Sequence, residues 1–379
     1  LRLVGSEMCI RDRGQTEQSR QTVAEENDAE QAKTAGNLEV HFIDVGQGDA
    51  TLIKCDGHSM LIDAGNNDKG TLVQNYLQHQ GVETLDYVIG THPDADHIGG
   101  MDVVLYKFDC KTIIMPDVAN NTRTYDDVVQ TMKNKGYKTT YPVVGETYTI
   151  GGAAFTIIAP NKEYGNDMNS WSVGVLLQNG NHRFLFTGDA EEGAEQDILQ
   201  NGIDISADVY KVAHHGSNTA TSQAFLDAVH PTYAVISAGE GNSYGHPHAE
   251  VLNRLRAAGV SVFRTDEQGT IVAASDGTTL TWNMSPSESW QAGEAKKSQN
   301  TEKSEKAADS QNNAETDAAV SNPTDQTDGN SDVIVHITKT GEKYHSAGCQ
   351  YLRKSDIEVT LSEAKARGLT PCSKCNPPQ

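Results

Sequence analysis

Two imidazoles and two carboxylates fall within six positions of the sequence VIGTHPDADHIGG, residues 88–100. They are His92, Asp94, Asp96 and His97, and they follow directly on a run of apolar residues. Carboxylates this close repel each other unless a positive charge lies among them. Imidazole and carboxylate together suit zinc, manganese or iron, and an open coordination position lets water bind. The pattern predicts an extended turn from which residues 92, 94 and 96 point one way while His97 reaches a second ion.

Two other interpretations of this stretch are a solvated polar turn and a calcium loop. Asp94 and Asp96 have the D-x-D spacing of a calcium loop, and Gly99 falls at its sixth position. Position twelve would be Leu105, where such a loop needs a bidentate glutamate. The calcium loop is therefore excluded, and the polar turn and the metal site remain.

Other Asp and His residues also lie at the ends of predicted strands. The pattern predicts strands in LEVHFIDV, ATLIKC and SMLIDAG. Two later strands end in FLFTGD and YKVAHH, and a helix follows YGHPH. Because loops at strand ends build the sites of α/β sheets, we expect these side chains to lie together. The candidate metal ligands are His92, Asp94, Asp96, His97, Asp189, His214, His215 and His246.

Hairpins and strand–helix alternation both occur in residues 37–285, which predicts an α/β fold. Apolar residues at Leu72, Val73, Tyr76 and Leu77, followed by Gly81, predict a helix. Hairpins are predicted in TYTIGGAAFTIIAP, VGVLLQNGNHRFLFTGD and TIVAASDGTTLTW. Between the last two, the strands ADVYKVA, YAVISAG and VSVFRT alternate with the helices SQAFLDAV and AEVLNRLRAAG.

The motifs DVGQGDA, MLIDAG, THPDADHIGG, FLFTGDAE, KVAHHGS and YGHPH, taken together, resemble the metallo-β-lactamase fold superfamily. Within it the chain looks like the branch of ComEC-type competence proteins, whose hydrolase domain accompanies DNA uptake. The resemblance covers residues 37–285 and implies an αββα sandwich. It also implies a ligand scheme in which one histidine of the 214/215 pair, with His214 as our choice, completes the set. In that scheme His92 and Asp94 hold one metal, Asp96 and His97 hold the other, and Asp189 bridges them.

The chain departs from the superfamily pattern at two places. The signature is H-x-H-x-D-H, and Asp94 replaces the second histidine, as is usual in the competence branch. Most members also have a histidine between the signature and the bridging aspartate, whereas only His182 lies there, at a predicted hairpin tip. The matching position falls near Asn169 and Ser170. Because an amide is a weak ligand, we expect incomplete filling of one site or a preference for manganese over zinc.

The predicted function is a metal-dependent hydrolase with two divalent ions, zinc or manganese, that activate water as hydroxide. We assign catalytic roles to Asp96, to Asp63 as the residue that orients ligands or nucleophile, and to Lys211. Lys211 and the amides around Ser217 are expected to stabilise phosphoryl charge, and the alternative for Lys211 is a surface strand residue. The expected site-lining residues are Asp44, Gln47, Asp49, Asn169, Ser170 and Ser217.

The favoured substrate is a phosphodiester, and more narrowly DNA. Residues 37–285 carry 14 Lys and Arg against 31 Asp and Glu, a net charge of −17. This charge disfavours a broad duplex-binding face but is compatible with a single strand in a narrow channel. The alternatives are a hydrolase of small esters or lactams, which the Asp94 exchange disfavours, and a non-catalytic binding protein of the same fold.

Four candidate zinc ligands lie near the C-terminus, in the pairs His345/Cys349 and Cys372/Cys375. Two close pairs of N and S ligands fit a closed tetrahedral zinc site, and a module this short needs such a staple. The stretch resembles the metal-binding domain of Ada-type alkylation-repair proteins, whose first ligand is a methyl-accepting cysteine. Because His345 stands in that position, we expect a structural zinc site without methyl transfer.

The chain of 379 residues with net charge −22 divides by composition into four regions. We expect a disordered arm at 1–36, the hydrolase domain at 37–285, a disordered linker at 286–331 and the Ada-like module at 332–379. The opening LRLVGSEMCIRDR looks like translated adapter sequence, so we expect the native N-terminus to be missing. The sequence has no apolar run of about 18 residues, the length of a membrane span. The polar arm and linker predict a secreted or lipid-tethered bacterial protein, extracellular or at the cell surface, that lost its signal sequence.

Overall fold

The computed structural model describes residues 35–293, 334–338, 343–346, 352, 357–366, 369–372 and 374–375. The chain divides into two compact units, Leu1–Lys303 and Ser304–Gln379. The predicted arm up to residue 34, the predicted linker over residues 294–331, and Cys349 lie outside the described residues.

The first sheet of the first unit contains the strands on both sides of the HPDADH stretch in the sequence, together with the last hairpin. Its strands are β1 (Leu38–Phe42), β2 (Thr51–Cys55), β3 (His58–Ile62), β4 (Thr84–Ile89), β5 (Asp109–Ile114), β6 (Thr139–Thr140), β14 (Ile271–Ser275) and β15 (Leu280–Trp282). The strand order is β15-β14-β1-β2-β3-β4-β5-β6. β3 to β6 run parallel to one another, whereas the pairs β15–β14, β14–β1, β1–β2 and β2–β3 are antiparallel.

The second sheet contains the middle hairpins and the later strand–helix alternation. Its strands are β7 (Thr147–Ile150), β8 (Ala153–Ala159), β9 (Gly174–Asn179), β10 (His182–Phe186), β11 (Val209–Lys211), β12 (Tyr233–Ile236) and β13 (Ser261–Arg264). The strand order is β13-β12-β11-β10-β9-β8-β7. β10 to β13 are parallel, so their carboxyl ends meet at one edge of the sheet.

Helices cover the outer face of each sheet. They are α1 (Gly70–His79), α2 (Ala95–Ile98), α3 (Met101–Lys107), α4 (Arg123–Lys135), α5 (Glu192–Gln200), α6 (Gln223–Val229), α7 (Ala249–Ala257) and α8 (Thr265–Gln268), with 3₁₀ turns at Asn169–Trp171 and Ala213–Gly216. Local capping sets some of the boundaries. The hydroxyl of Thr122 accepts a bond from the amide of Tyr125 where α4 begins, and Gly136 ends it with φ of 73°. None of the described helices is long and apolar enough to cross a membrane.

Three apolar clusters make this unit a four-layer αββα sandwich. The central cluster joins the facing sides of the two sheets and includes Phe42, Phe155 and Phe184. A second cluster packs α5, α6 and α7 on the second sheet, and a third packs α1, α3 and α4 on the first. The predicted α/β sandwich is therefore confirmed, and burial of both sheet faces explains why their strands are so apolar.

The structure differs from the predictions at two positions that matter for the site. Residues 95–98 form helix α2, so Asp96 and His97 lie on a helical turn and not in the extended turn that we expected. The folded unit also continues past the predicted boundary at 285. The amide of Ser287 donates to the carbonyl of Val262, and Trp290 packs against the apolar cluster of the second sheet.

The second unit contains β16 (Ile334–Ile337), β17 (Lys343–His345), β18 (Ile357–Thr360), β19 (Thr370–Pro371) and helix α9 (Leu361–Ala366). The strand order is β18-β16-β17-β19. Val335, Tyr344, Leu361 and Ala364 belong to its small apolar cluster.

Candidate metal centre

The candidate ligands come from the carboxyl ends of strands in both sheets. Asp63 follows β3, the stretch from His92 to His97 follows β4, Asp189 follows β10, and His214 and His215 follow β11. β3 and β4 are parallel neighbours, as are β10 and β11, so each pair of strands delivers its loops to one place. The carbonyl of Asp96 accepts from the amide of Asp49, which adds the turn after β1 to the same cluster.

Asp189 lies at the centre of the cluster. Its Oδ1 is 3.1 Å from Nε2 of His97, and its Oδ2 is 3.5 Å from Nε2 of His215. Nε2 of His215 also lies 3.3 Å from Oδ2 of Asp96. Among the described residues of this unit, four groups of three side chains are close enough to hold an ion. Three of them contain His97, namely His92/His97/Asp189, Asp96/His97/His215 and Asp49/Asp63/His97, and the fourth is Asp49/Asp189/His215. Asp189 thus faces both halves of the candidate centre.

Buried donor atoms without hydrogen-bond partners show that this cluster fits a cation. They are Nε2 of His92, of His97 and of His215, together with Oδ1 of Asp189. Nδ1 of His97 faces the carboxylate of Asp63, and Nδ1 of His215 faces the carbonyl of Ser237. Both neighbours are acceptors, so in a neutral ring the proton lies on Nδ1. Nε2 of each ring then has a free lone pair that faces a carboxylate. Acceptor facing acceptor in a buried site is unfavourable, and a metal ion or a proton between them relieves it.

Charges on the surrounding carboxylates favour a cation at this place. Burial opposes protonation, but Asp189 and Asp63 raise the pKa of His97 well above its usual value. Asp189 and Asp49 do the same for the pKa of His215. Burial and the charge of His97 lower the pKa of His92 to about 3, so His92 is neutral and its bare Nε2 is a ready metal ligand.

Asp63 holds His97 in place. Its Oδ2 lies 2.8 Å from Nδ1 of His97, and it accepts further bonds from the amide and the hydroxyl of Thr91 at 2.8 and 2.7 Å. A carboxylate that accepts the proton of one imidazole nitrogen fixes the tautomer and aims the other nitrogen at the metal. This contact is the geometry that the expected orienting role of Asp63 requires, and it acts on His97, a candidate metal ligand.

Lys211 does not lie where a phosphoryl group could meet it. Its side chain is buried, and Nζ contacts Oδ2 of Asp49 at 2.8 Å and the carbonyl of Val212 at 3.2 Å. Neither the predicted catalytic role nor the alternative of a surface residue fits, because the ammonium is enclosed and ion-paired. Asp49, expected to line the site, belongs to two of the candidate ligand groups and also links Lys211 to His215, whose Nδ1 is 3.4 Å from Oδ1.

His215 and His214 have different surroundings, and the geometry favours His215 as ligand over our choice of His214. His215 is buried among Asp49, Asp96 and Asp189. The His214 side chain is partly exposed, with Nδ1 3.4 Å from Glu191 and Nε2 3.7 Å from Asp189. Among the described residues, the groups of candidate ligands include His215 twice and omit His214.

Asp94 and His246 lie at the margins of the cluster. Oδ2 of Asp94 is 3.8 Å from Nε2 of His92, and the Asp94 side chain is 39% exposed. Asp94 therefore approaches the His92/His97/Asp189 group from the solvent side. The His246 ring lies 5.6 Å from that of His214 and 6.1 Å from that of His215. Burial, aided by the neighbouring histidines, lowers the pKa of His246 to about 3, which keeps this ring neutral.

The other expected lining residues mostly stabilise the surrounding loops. Asp44 accepts from the amide of Gly46, and Gln47 accepts from the amide of Gly239. Asn169 donates to Glu191, the neighbour of His214. The amide of Ser170 donates to Asp167, and the hydroxyl of Ser217 contacts that of Thr219. None of these five contacts involves a member of the four candidate ligand groups.

Two site residues were missed from the sequence, Ser172 and Thr91. The hydroxyl of Ser172 accepts from the amide of Asp189 at 3.0 Å and lies 3.3 Å from Nδ1 of His92. It lies three residues after Asn169, in the interval where the missing histidine was sought. Thr91 precedes His92 directly and contacts Asp63 and both signature histidines. Its position beside the signature was the available signal.

In the second unit, the structure brings three of the four predicted zinc ligands together. Donor atoms of His345, Cys372 and Cys375 all lie within 4.8 Å of one another. Sγ of Cys375 is 3.8 Å from Nδ1 of His345 and accepts from the amide of Ser346. Cys349 lies outside the described residues.

Comparison with known proteins agrees with this geometry. The family profile described as Metallo-beta-lactamase superfamily matches residues 43–240. ComE operon protein 3 of Bacillus subtilis is 31% identical over 255 residues, 62% of this chain and 32% of that protein. Recombination protein 2 of Haemophilus influenzae is 33% identical, covering 62% of this chain and 28% of that protein. Competence protein ComA of Neisseria gonorrhoeae is 29% identical, covering 60% and 31%. The chain spans about a third of the length of these relatives.

Proposed function

This chain belongs to the metallo-beta-lactamase superfamily, and we propose that it is a metal-dependent phosphodiesterase that cleaves single-stranded DNA. The observation that carries the proposal is the set of bare, buried donor atoms on His92, His97, His215 and Asp189. Competence and recombination, the words in the relatives' names, describe processes that act on DNA. The similarity to these relatives supports the choice of DNA over a small molecule.

In this proposal two divalent ions, zinc or manganese, are held by the candidate ligands. His92 and Asp94 serve one ion, Asp96, His97 and His215 the other, and Asp189 both. Such ions supply a water of lowered pKa and neutralise charge on phosphoryl oxygens when bound. Asp94 replaces the second histidine of the signature, so the set of ligands contains one more carboxylate and one fewer imidazole. This change favours manganese, because carboxylates are ligands that suit manganese.

The chain's own residues keep the ligands in one arrangement. Asp63 retains the proton on Nδ1 of His97, and the carbonyl of Ser237 retains that on Nδ1 of His215. Ser172 ties the loop of Asp189 to His92. With these contacts the donor atoms are aimed before any ion arrives, which limits the reorganisation needed on binding.

A comparison of substrates tests the proposed reaction. The full chain, stripped of metal and then supplied with manganese or zinc, is offered bis(p-nitrophenyl) phosphate, single-stranded DNA and nitrocefin. We expect turnover of both phosphodiesters and none of the lactam. His79→Ala, a change at an exposed histidine on α1, is the matched control for changes at site histidines. Lactam turnover without phosphodiester cleavage would reject the proposal in favour of the lactamase alternative.

We further propose that the protein acts at the cell envelope.

We also propose that the second unit holds one structural zinc ion through His345, Cys349, Cys372 and Cys375. Residues 332–379 of this unit carry 7 Lys and Arg against 5 Asp and Glu, a balance that permits DNA contact. Zinc analysis of the full chain beside Cys372→Ser tests the site. Loss of about one zinc ion per chain is expected, and unchanged zinc content would reject it.

A further inference from the structure

Three near-parallel rings lead from the candidate metal centre to solvent. The innermost is His215, which is buried against Asp189. The ring of His246 stacks on it at 6.1 Å between centroids with planes 27° apart. Tyr244 in turn stacks on His246 at 5.4 Å and 17°. Tyr244 is 62% exposed and covers the buried ring of His246, which in turn lies beside His214 and His215.

The loop that carries Tyr244 is fixed by the buried side chain of Asn242. Its Oδ1 accepts from the amides of Tyr244 and His246 at 3.1 and 3.0 Å. Its Nδ2 donates to the carbonyls of Gly239 and His246 at 2.9 and 2.7 Å. All of the amide's bonding capacity is therefore used to hold the loop in shape. The exposed ring is presented by a rigid support.

We propose that Tyr244 is the stacking platform for a base of the single strand whose backbone reaches the metal centre. The inference rests on the proposed function. A nucleic acid gains little from salt bridges on a region with net charge −17, whereas base stacking on an aromatic ring needs no positive charge. Stacking also tolerates every base, because each has a π-face. The subsite therefore selects a strand with accessible bases over a duplex.

The distances suit this assignment. Two ring-to-ring steps of 6.1 and 5.4 Å separate His215 from Tyr244. Stacked nucleotides rise about 3.4 Å each, so a base about three or four positions from the scissile phosphate reaches the tyrosine. The outer face of the ring is where that base would lie, since His246 occupies the inner face.

The test measures binding and cleavage of two matched strands by the full, metal-loaded chain. One strand carries ordinary bases with a 2-aminopurine reporter, and the other carries abasic sites over about the first four positions on each side of the scissile phosphate. The variants are Tyr244→Ala, Tyr244→Trp and Tyr106→Ala. Tyr106 is a matched control because it is 65% exposed and its ring lies beside Lys107 and Lys135 on α3 and α4.

We expect Tyr244→Ala to raise Kd and KM for the base-bearing strand roughly 5- to 30-fold, with 2-aminopurine quenching reduced, and to leave the abasic strand unchanged. Tyr244→Trp should retain wild-type binding, and Tyr106→Ala should have no effect. Equal losses on both strands would assign Tyr244 a structural role and overturn the inference, as would no loss on either. If the wild-type chain cleaves neither strand, the proposed function itself fails.

Discussion

Nζ of Lys211 lies 2.8 Å from Oδ2 of Asp49, and both side chains are buried beneath the candidate metal centre. Lys211 ends β11 of the second sheet, and Asp49 lies in the turn between β1 and β2 of the first. Oδ1 of Asp49 also lies 3.4 Å from Nδ1 of His215. The ion pair is thus part of the support of the site.

Replacement of Lys211 by methionine should leave the Asp49 carboxylate buried without its partner. Loss of one member of a buried pair costs about 3–5 kcal/mol, so we expect the free energy of unfolding to fall by that amount in urea titrations. The matched control is Lys111→Met, because the Lys111 ammonium pairs with Asp86 but is 59% exposed, so its loss should change the free energy of unfolding far less. Equal effects of the two substitutions would show that the Lys211 pair is not enclosed.

Asp63→Asn should weaken metal binding without removing a ligand. Because the amide of Thr91 donates to Oδ1, the NH₂ group of the asparagine takes the place of Oδ2 and donates to Nδ1 of His97, so the ring proton moves to Nε2. We expect roughly a 10- to 100-fold loss of metal affinity in competition with a chromophoric chelator. Asp68→Asn, at an exposed carboxylate, serves as the control and should bind like the wild type. Wild-type affinity in Asp63→Asn would remove the residue from the site's support.

His215→Ala and His214→Ala separate the two neighbouring histidines. Because His215 lies among Asp49, Asp96 and Asp189, its loss should reduce metal affinity more than the loss of Asp63 does. The effect of His214→Ala should be smaller, since Glu191 and Thr219 are its Nδ1 partners. Calorimetric metal titration of both variants measures the difference. A larger loss in His214→Ala would restore our sequence-based choice.

Metal binding should weaken as the pH falls. The carboxylates raise the pKa of His97 and His215 well above the usual value, so both imidazoles hold protons in the metal-free protein to a higher pH than free histidine does. An ion must displace these protons, and the apparent affinity therefore rises with pH beyond about 6.5. Calorimetry in buffers of different ionisation enthalpy reports the released protons. No proton release between about pH 6 and pH 8 would contradict this account.

The mixture of hairpins and strand–helix alternation predicted an α/β fold, and the resemblance of the motifs to a known superfamily implied the sandwich. The support of the site was harder to predict, because it depends on contacts between distant residues. Lys211 meets Asp49 across 162 positions, and Ser172 meets His92 across 80. His214 and His215 are adjacent and chemically identical, and their turn, with φ values of 49° and 53°, buries His215 among three carboxylates and leaves His214 partly exposed. No residue pattern encodes that choice.

Cleavage of single-stranded DNA by the full chain, with and without metal, tests the central claim most directly. We predict no cleavage after metal is stripped, recovery when manganese or zinc is restored, and no recovery in His97→Ala, whose wild-type ring is shared by both candidate ligand groups around Asp189 and Asp96. His79→Ala should recover like the wild type. Cleavage that persists in the stripped protein, or in metal-loaded His97→Ala, would contradict the assignment of this cluster as the catalytic metal centre.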